Sequence, residues 1–283
     1  IDRAARTVTL SGDTELPYRK LVLATGLTPR DMPVLQSVAP YVASLRSFED
    51  ALRLRDRLGP GQRVVLVGAG LIGLETAASA VKLGAPVAVI EAAERPLGRF
   101  MPAYLAAWLA GVHEAAGVRI LCGRQVAAAA SQGQGARLTL DDGTILDADL
   151  VLVGIGGTPN DRIARDCGLE TGNGIAVNAY GQTSDPDIFA VGDVALHENP
   201  LFGQRWRLES WKNAEDLAGI VAAHICGDPA PYVETPWFWT DQYDLNIQVA
   251  GVPGPGDASF ERGRPGERGY LAYFASELEF YLF

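Results

Sequence analysis

Gly68-Ala69-Gly70-Leu71-Ile72-Gly73 follows the apolar run Val64–Val67 and opens a helix-like segment from Leu71 to Leu83. Glycines at this spacing serve a phosphate in three ways. Gly68 permits a tight turn, Gly70 lets the backbone approach a pyrophosphate, and Gly73 lets helix and strand pack closely. The unsatisfied N–H groups at the helix start then face the phosphate charge. Glu91 closes the next strand-like run, Val87–Ile90, 21 residues after Gly70. An acid there accepts the 2′- and 3′-hydroxyls of an adenosine ribose. Strand, glycine turn, helix, strand and acid in register predict a dinucleotide site.

The acid also selects. A 2′-phosphate beside Glu91 would bring like charges together, so NADH is expected over NADPH. Arg95 lies nearby, where an arginine receives a phosphate, contacts the pyrophosphate or ribose, or solvates its loop. The spacing leaves these open. Glu75, in the first turns of the helix, has two readings. It complements the positive helix N-terminus, or it accepts a hydrogen bond from a nicotinamide carboxamide.

Two further features carry chemistry. Ile188-Phe189-Ala190-Val191 runs into Gly192-Asp193, which puts a carboxylate at the carboxyl end of a parallel strand, where open α/β sheets bind ligands. Turn formation accounts for Gly-Asp equally well. Trp206, Trp211, Trp237 and Trp239 lie within 34 residues, and Arg205, Arg207 and Lys212 flank the first two. Core packing is the ordinary role of tryptophan, while a positive aromatic patch on an acidic chain fits an acidic docking partner. His113, His197 and His224 are isolated, so no metal site is expected. Neither a P-loop nor a GxSxG elbow occurs.

The elements that must position these residues alternate. Leu21–Ala24 reads as a short strand, and Phe48–Leu58 as a helix with Ser47 as N-cap and Asp50 completing a capping box. Strands at Val64–Val67 and Val87–Ile90 flank the glycine helix, and a helix follows over Pro102–Ala116. Asp141-Asp142-Gly143 predicts a hairpin between Ala136–Leu140 and Ile145–Val153. A helix over Asn213–Cys226, capped by Asn213, follows the Ile188–Val191 strand, and antiparallel β structure is expected from Trp237 onward. This is an α/β pattern with a small α+β tail.

The chain has 283 residues, 48% hydrophobic and 20% charged, with net charge −10. That length allows about two domains, and the composition excludes a disordered or collagen-like chain. The negative balance argues against nucleic acid and anionic membranes as partners. Cys122, Cys167 and Cys226 form no CxxC pair, which fits a reducing compartment and disfavours a disulfide scaffold or structural zinc. No signal peptide or bilayer-spanning run of ~18 apolar residues is present, so a cytoplasmic location is expected. The chain opens at Ile1 and closes on an aromatic run, Leu278–Phe283, with strand character. Exposed edge strands seldom end natural domains, and the sequence reads as a fragment cut at both ends.

The set Ala24-Thr25-Gly26-Leu27-Thr28-Pro29-Arg30, Gly68 to Glu75, Val153-Gly154-Ile155-Gly156 and Ala190-Val191-Gly192-Asp193 resembles the two-dinucleotide-domain flavoprotein reductases. Arg207 to Ala214 and Pro236-Trp237-Phe238-Trp239-Thr240-Asp241-Gln242 resemble the oxygenase-coupled NADH:ferredoxin reductases among them. The resemblance implies an FAD-binding domain (1–41 and 159–235), an NAD-binding domain (42–158) and a truncated C-terminal reductase domain (236–283). It implies FAD contacts at Thr25, Gly26, Arg46, Gly192, Asp193 and Trp211. NADH contacts would fall at Gly68, Gly70, Leu71, Ile72, Gly73, Glu75, Glu91, Arg95 and Gly156. Docking of a [2Fe–2S] ferredoxin would involve Arg205, Arg207, Trp211, Lys212 and Trp239. The implied function is hydride transfer from NADH to FAD, then single-electron transfer through the ferredoxin to an oxygenase, with no side-chain catalyst. The family's N-terminal FAD phosphate fingerprint has no counterpart here. The rival readings are a thiol-based NADH oxidase or disulfide reductase, a non-enzymatic NADH-sensing flavoprotein, and an inactive NADH-binding fragment.

Overall fold

The computed structural model describes residues 1–98, 101–200, 203–251 and 258–275. They fall into two compact units. One is formed by residues 1–28, 158–239 and 248–251, the other by 29–157, 240–247 and 258–275.

The second unit is built on a five-stranded sheet in the order Val42–Ala43, Leu150–Val153, Val64–Val67, Val87–Glu91, Arg119–Cys122. Every pairing in it is parallel. The unbroken apolar runs follow from burial on both faces. Val64 and Leu66 point to the side that holds α1 (Phe48–Arg55), α2 (Leu71–Lys82) and α3 (Ala103–Ala115). Val65 and Val67 point to the opposite side, against a three-stranded antiparallel sheet of Val126–Gln132, Gly135–Leu140 and Ile145–Ala148. Ser47 and Asp50 form the expected capping box at α1, with reciprocal bonds of 3.1 and 3.0 Å.

Two expectations are corrected. The run Ile145–Val153 is not one hairpin strand. Ile145–Ala148 pairs with Gly135–Leu140, whereas Leu150–Val153 joins the parallel sheet. Asp149 makes the switch, its carboxylate accepting from the Arg63 N–H at 2.8 Å and from the guanidinium at 3.0 and 2.8 Å. The last long helix begins two residues earlier than expected.

In the first unit, Leu21–Leu23 pairs in parallel with Ile188–Ala190. Gly174–Val177 pairs in parallel with Ala195–Asn199, which pairs antiparallel with Gln204–Trp206. A short helix, α4 (Arg162–Asp166), precedes them. α5 (Trp211–Ile225) is capped by Ser210, whose hydroxyl accepts from the Asn213 N–H at 3.2 Å. The Asn213 side chain is instead buried, donating to the Leu208 carbonyl and accepting from the Tyr232 hydroxyl at 3.1 Å each. Strands Trp237–Gln242 and Leu245–Ala250 form a two-stranded sheet, and Ala258–Arg262 pairs antiparallel with Leu271–Ala275. The aromatic run Leu278–Phe283 lies outside the described residues. Among the described residues, no helix is long and apolar enough to cross a membrane.

Candidate functional site

A cleft of about 700 Å³ lies at the carboxyl ends of the parallel strands in the second unit. Gly68, Gly70, Glu91 and Arg95 all line it, together with Arg124. The glycine turn is sterically dictated. Gly68 has φ +105°, and a Cβ there would meet the Gly154 oxygen at 2.4 Å. A Cβ on Gly73 would lie 2.0 Å from the Gly68 oxygen. At Gly70 a Cβ would meet no protein atom within 4 Å, so glycine there keeps room for a ligand and not for the protein. Gly70 is also the N-cap of α2 and offers no capping side chain, which leaves the first N–H groups of the helix for an anion.

Glu91 braces this turn. Its Oε2 accepts from the Ala69 N–H at 2.7 Å and its Oε1 from the Ala93 N–H at 2.8 Å. A carboxylate offers about four lone-pair positions, so acceptor capacity remains on the cleft side for ribose hydroxyls. Arg95 donates to the Gly98 carbonyl at 3.3 Å. Leu71, Ile72, Gly73 and Glu75 lie on α2 outside the cleft wall, and Gly156 follows the lining residues Gly154 and Ile155.

Arg124 escaped the sequence reading. Its N–H donates to the Glu91 carbonyl at 3.0 Å, and its side chain pairs with Asp142 at 2.6 Å. The signal was present: Arg124 lies just beyond the carboxyl end of Arg119–Cys122, the strand beside Glu91, and such strand ends line ligand sites.

Glu75 sits half-buried on α2 and accepts a hydrogen bond of 2.5 Å from the Thr240 hydroxyl. Gln242 donates to the Thr240 oxygen at 3.0 Å and faces His113 Nε2 at 2.7 Å. The Tyr243 hydroxyl lies 3.0 Å from His113 Nδ1. Burial raises the Glu75 carboxyl above its ordinary value, opposed by the Thr240 hydroxyl, and burial lowers His113. His113 is fully buried. The His113 shift has a defined sign. The unfolded imidazole gains its proton near pH 6.5 while the folded one resists it, so His113 costs no stability above that pH. Stability then falls on acidification until the depressed folded value is reached. Urea titrations from pH 7.5 to 5 should show His113→Gln losing up to about 1.4 kcal/mol per pH unit of this acid slope. An unchanged slope rejects the assignment.

In the first unit, Thr25 and Gly26 are clasped to Asn160. The Thr25 hydroxyl donates to the Asn160 carbonyl at 2.7 Å, Asn160 Nδ2 donates to the Thr25 carbonyl at 2.8 Å, and the Asn160 N–H donates to Gly26 at 2.9 Å. Gly192 has φ +72° and begins the turn beyond Ile188–Ala190, leaving Asp193 half-buried at the carboxyl end of that strand. The Asp193 carbonyl accepts from Arg207 at 3.1 Å. Arg46 belongs to the other unit, where it precedes the N-cap of α1.

The cationic cluster differs from expectation. Arg207 is 7% exposed and paired with Glu209 at 2.7 Å, so it is unavailable as a surface charge. Arg205 pairs with Glu170 at 2.7 Å and Lys212 with Asp216. Aromatic surface remains. Trp211 is 64% exposed and meets Trp239 edge-on at 6.2 Å, while Trp239 stacks on Trp237 at 5.3 Å. Among the described residues no cluster of His, Cys, Asp and Glu is arranged to hold a metal, and the three thiols are free.

Residues 1–218 match the family model described as pyridine nucleotide-disulphide oxidoreductase, and residues 237–279 match the reductase C-terminal model. The chain is 43% identical over 270 residues to the ferredoxin–NAD(+) reductase component of the anthranilate 1,2-dioxygenase system of Burkholderia cepacia, covering 94% of this chain and 65% of that protein. It is 40% identical over 244 residues to the reductase component of the 3-phenylpropionate/cinnamic acid dioxygenase of Photorhabdus laumondii, covering 86% and 62%. The chain thus spans somewhat under two thirds of the length of these relatives. The ferredoxin reductase for the CYP199A2 system of Rhodopseudomonas palustris superposes with TM-score 0.91 at 40% identity, covering 97% of this chain and 68% of that one. The reductase in the covalent putidaredoxin reductase–putidaredoxin complex gives 0.92 at 37%, covering 97% and 67%. Both family models and the superposition on these two reductases lead to one conclusion: the protein belongs to the pyridine nucleotide-disulphide oxidoreductase family, in its ferredoxin reductase branch.

Proposed function

We propose that the protein is an NADH-dependent ferredoxin reductase that passes electrons through FAD to a [2Fe–2S] ferredoxin serving an oxygenase. The observation that carries this reading is the union, in one chain, of the Glu91 cleft with the reductase C-terminal segment of ferredoxin–NAD(+) reductase components. Bound NADH and FAD supply the redox chemistry, as a two-electron donor and a carrier able to release electrons singly. The chain binds and aligns them. Gly68 and Gly70 admit the pyrophosphate, with Leu71, Ile72 and Gly73 at the helix start. Glu91 accepts the ribose hydroxyls, Glu75 accepts from the nicotinamide carboxamide, and Arg95 and Gly156 complete the NADH contacts. Thr25, Gly26, Gly192, Asp193 and Trp211, all in the first unit, would hold the flavin nucleotide, the Asp193 carboxylate serving as a hydrogen-bond acceptor for its ribitol. No side chain acts as nucleophile or general acid.

Cys122 does not fit the role of a reactive thiol. Burial, with the Glu91 and Glu114 charges, raises the Cys122 thiol above its ordinary value, the wrong direction for a nucleophile. The free thiols and the NADH requirement favour the cytoplasm.

The proposed docking face is the aromatic step of Trp211 and Trp239, assisted by the cations Arg205 and Lys212. Trp239→Ala should slow reduction of an acidic [2Fe–2S] ferredoxin about tenfold, as expected for an aromatic interface anchor. Ferricyanide reduction by NADH should stay near the parent rate, because that acceptor needs no docking face. Equal ferredoxin rates in variant and parent would remove Trp239 from the interface. Failure of the parent to reduce any ferredoxin with NADH would overturn the function itself.

A further inference from the structure

Five side chains in the second unit form a chain of hydrogen bonds whose direction is set throughout. The Gln242 amide oxygen can only accept, so His113 Nε2, 2.7 Å away, carries the proton. His113 Nδ1 is then an acceptor, and it takes the Tyr243 hydroxyl proton at 3.0 Å. Gln242 Nε2 donates to the Thr240 oxygen at 3.0 Å, which leaves the Thr240 proton for Glu75 at 2.5 Å. Thr240, Gln242 and His113 are fully buried. Every link donates toward Glu75, and the terminal acceptor is a carboxylate. A protonated Glu75 would need its own proton directed away from Thr240, and a charged His113 would reverse the link to Tyr243, whose hydroxyl would then accept.

We infer that Thr240 is a positioning residue for Glu75, backed by Gln242 and neutral His113, and that it holds Glu75 ionised and aimed as an acceptor for the nicotinamide carboxamide. The inference rests on the reading of Glu75 given under the proposed function and extends it to the C-terminal strand. Burial works against the carboxylate here, as does the charge of Asp241, while the Asp241 N–H favours it. Asp241 is the charged neighbour on the facing strand. His113 on α3 enters through the chain of bonds as a neutral ring. The Thr240 hydroxyl is therefore a principal opponent of protonation at Glu75, since a hydrogen bond to a charged group is stronger than one between neutral groups.

The test is NAD+ binding to the purified chain, measured by titration calorimetry from pH 5.5 to 8.5. Thr240→Val is nearly isosteric and removes the donor. In it, the acid limb of NAD+ affinity should move to higher pH by about 1 unit. Affinity at pH 8.5 should remain within a few-fold of the parent. Thr240→Ser should restore the parent profile, and Gln242→Leu should shift it in the same direction by less. Because Gln242→Leu leaves the Thr240 donor in place, the direction of its shift tests the proposal even if Thr240→Val folds poorly. A Thr240→Val profile that is unchanged, or weakened equally at every pH, overturns the proposal when Glu75→Gln still weakens binding. If Glu75→Gln binds NAD+ as the parent does, the role of Glu75 itself falls, and the proposal falls with it.

Discussion

Gly73→Ala is expected to weaken NAD+ binding about a hundredfold, roughly 2.7 kcal/mol, and to lower the stability of the chain. The new methyl would lie 2.0 Å from the Gly68 oxygen and 3.2 Å from its carbonyl carbon. Both are backbone atoms, so no side chain can swing aside. Either α2 or the glycine turn must move. Overpacking of this kind typically costs 1–3 kcal/mol, and it displaces the N–H groups at the start of α2 that the proposed site offers to a phosphate. Gly70→Ala provides the contrast. Its Cβ meets no protein atom within 4 Å, and its φ of −79° with ψ of −172° suits alanine. That variant should be as stable as the parent, or more stable by ~0.4–1 kcal/mol through the unfolded chain, yet bind NAD+ poorly. Thermal denaturation and NAD+ titration on both variants check the pair. If Gly70→Ala binds normally, the pyrophosphate does not lie against this turn.

Glu91→Ala should weaken NAD+ binding and relax its preference over NADP+ by about tenfold, ~1.4 kcal/mol. The structure adds a cause that the strand-end position did not show. The carboxylate holds the Ala69 and Ala93 N–H groups, so its removal leaves two donors without partners as well as stripping the ribose of an acceptor. Glu91→Gln keeps an acceptor oxygen of the same shape but not the charge. It should retain more stability than Glu91→Ala while losing most of the discrimination. Parallel titrations with NAD+ and NADP+ decide the matter. A ratio that does not move in either variant shows that Glu91 does not choose the nucleotide.

The dinucleotide unit was legible because its constraints are local. Val64–Val67, the glycine turn and α2 follow from apolar runs buried on both faces and from a turn that tolerates no Cβ at Gly68 or Gly73. The capping box at Ser47 is likewise contained within four residues. Asp149 shows the limit of that locality. Ile145–Val153 is one continuous strand-like run in the sequence, and it divides at Asp149, whose carboxylate is bound by Arg63, distant in the chain. Asn213 is an equally good N-cap by type, but Tyr232 and the Leu208 carbonyl claim its side chain and leave the cap to Ser210.

The same division holds at the site. Residue type and spacing alone placed Gly68, Gly70, Glu91 and Arg95, since one strand-turn-helix-strand unit carries all four to the end of one sheet. Charge counting around Trp211 failed for Arg207 because the burial of its side chain, and its bond to the Asp193 carbonyl, are settled by how the chain folds back, although Glu209 lies only two residues away. Arg124 entered the cleft through the adjacency of two parallel strands, which the order of residues does not state. The bonds from Tyr243 to Glu75 join α2, α3 and a strand more than 120 residues beyond either helix. Their donor directions depend on atoms brought within 3 Å of one another. Local sterics wrote the glycine turn into the sequence, and long-range packing decided which polar groups face each other.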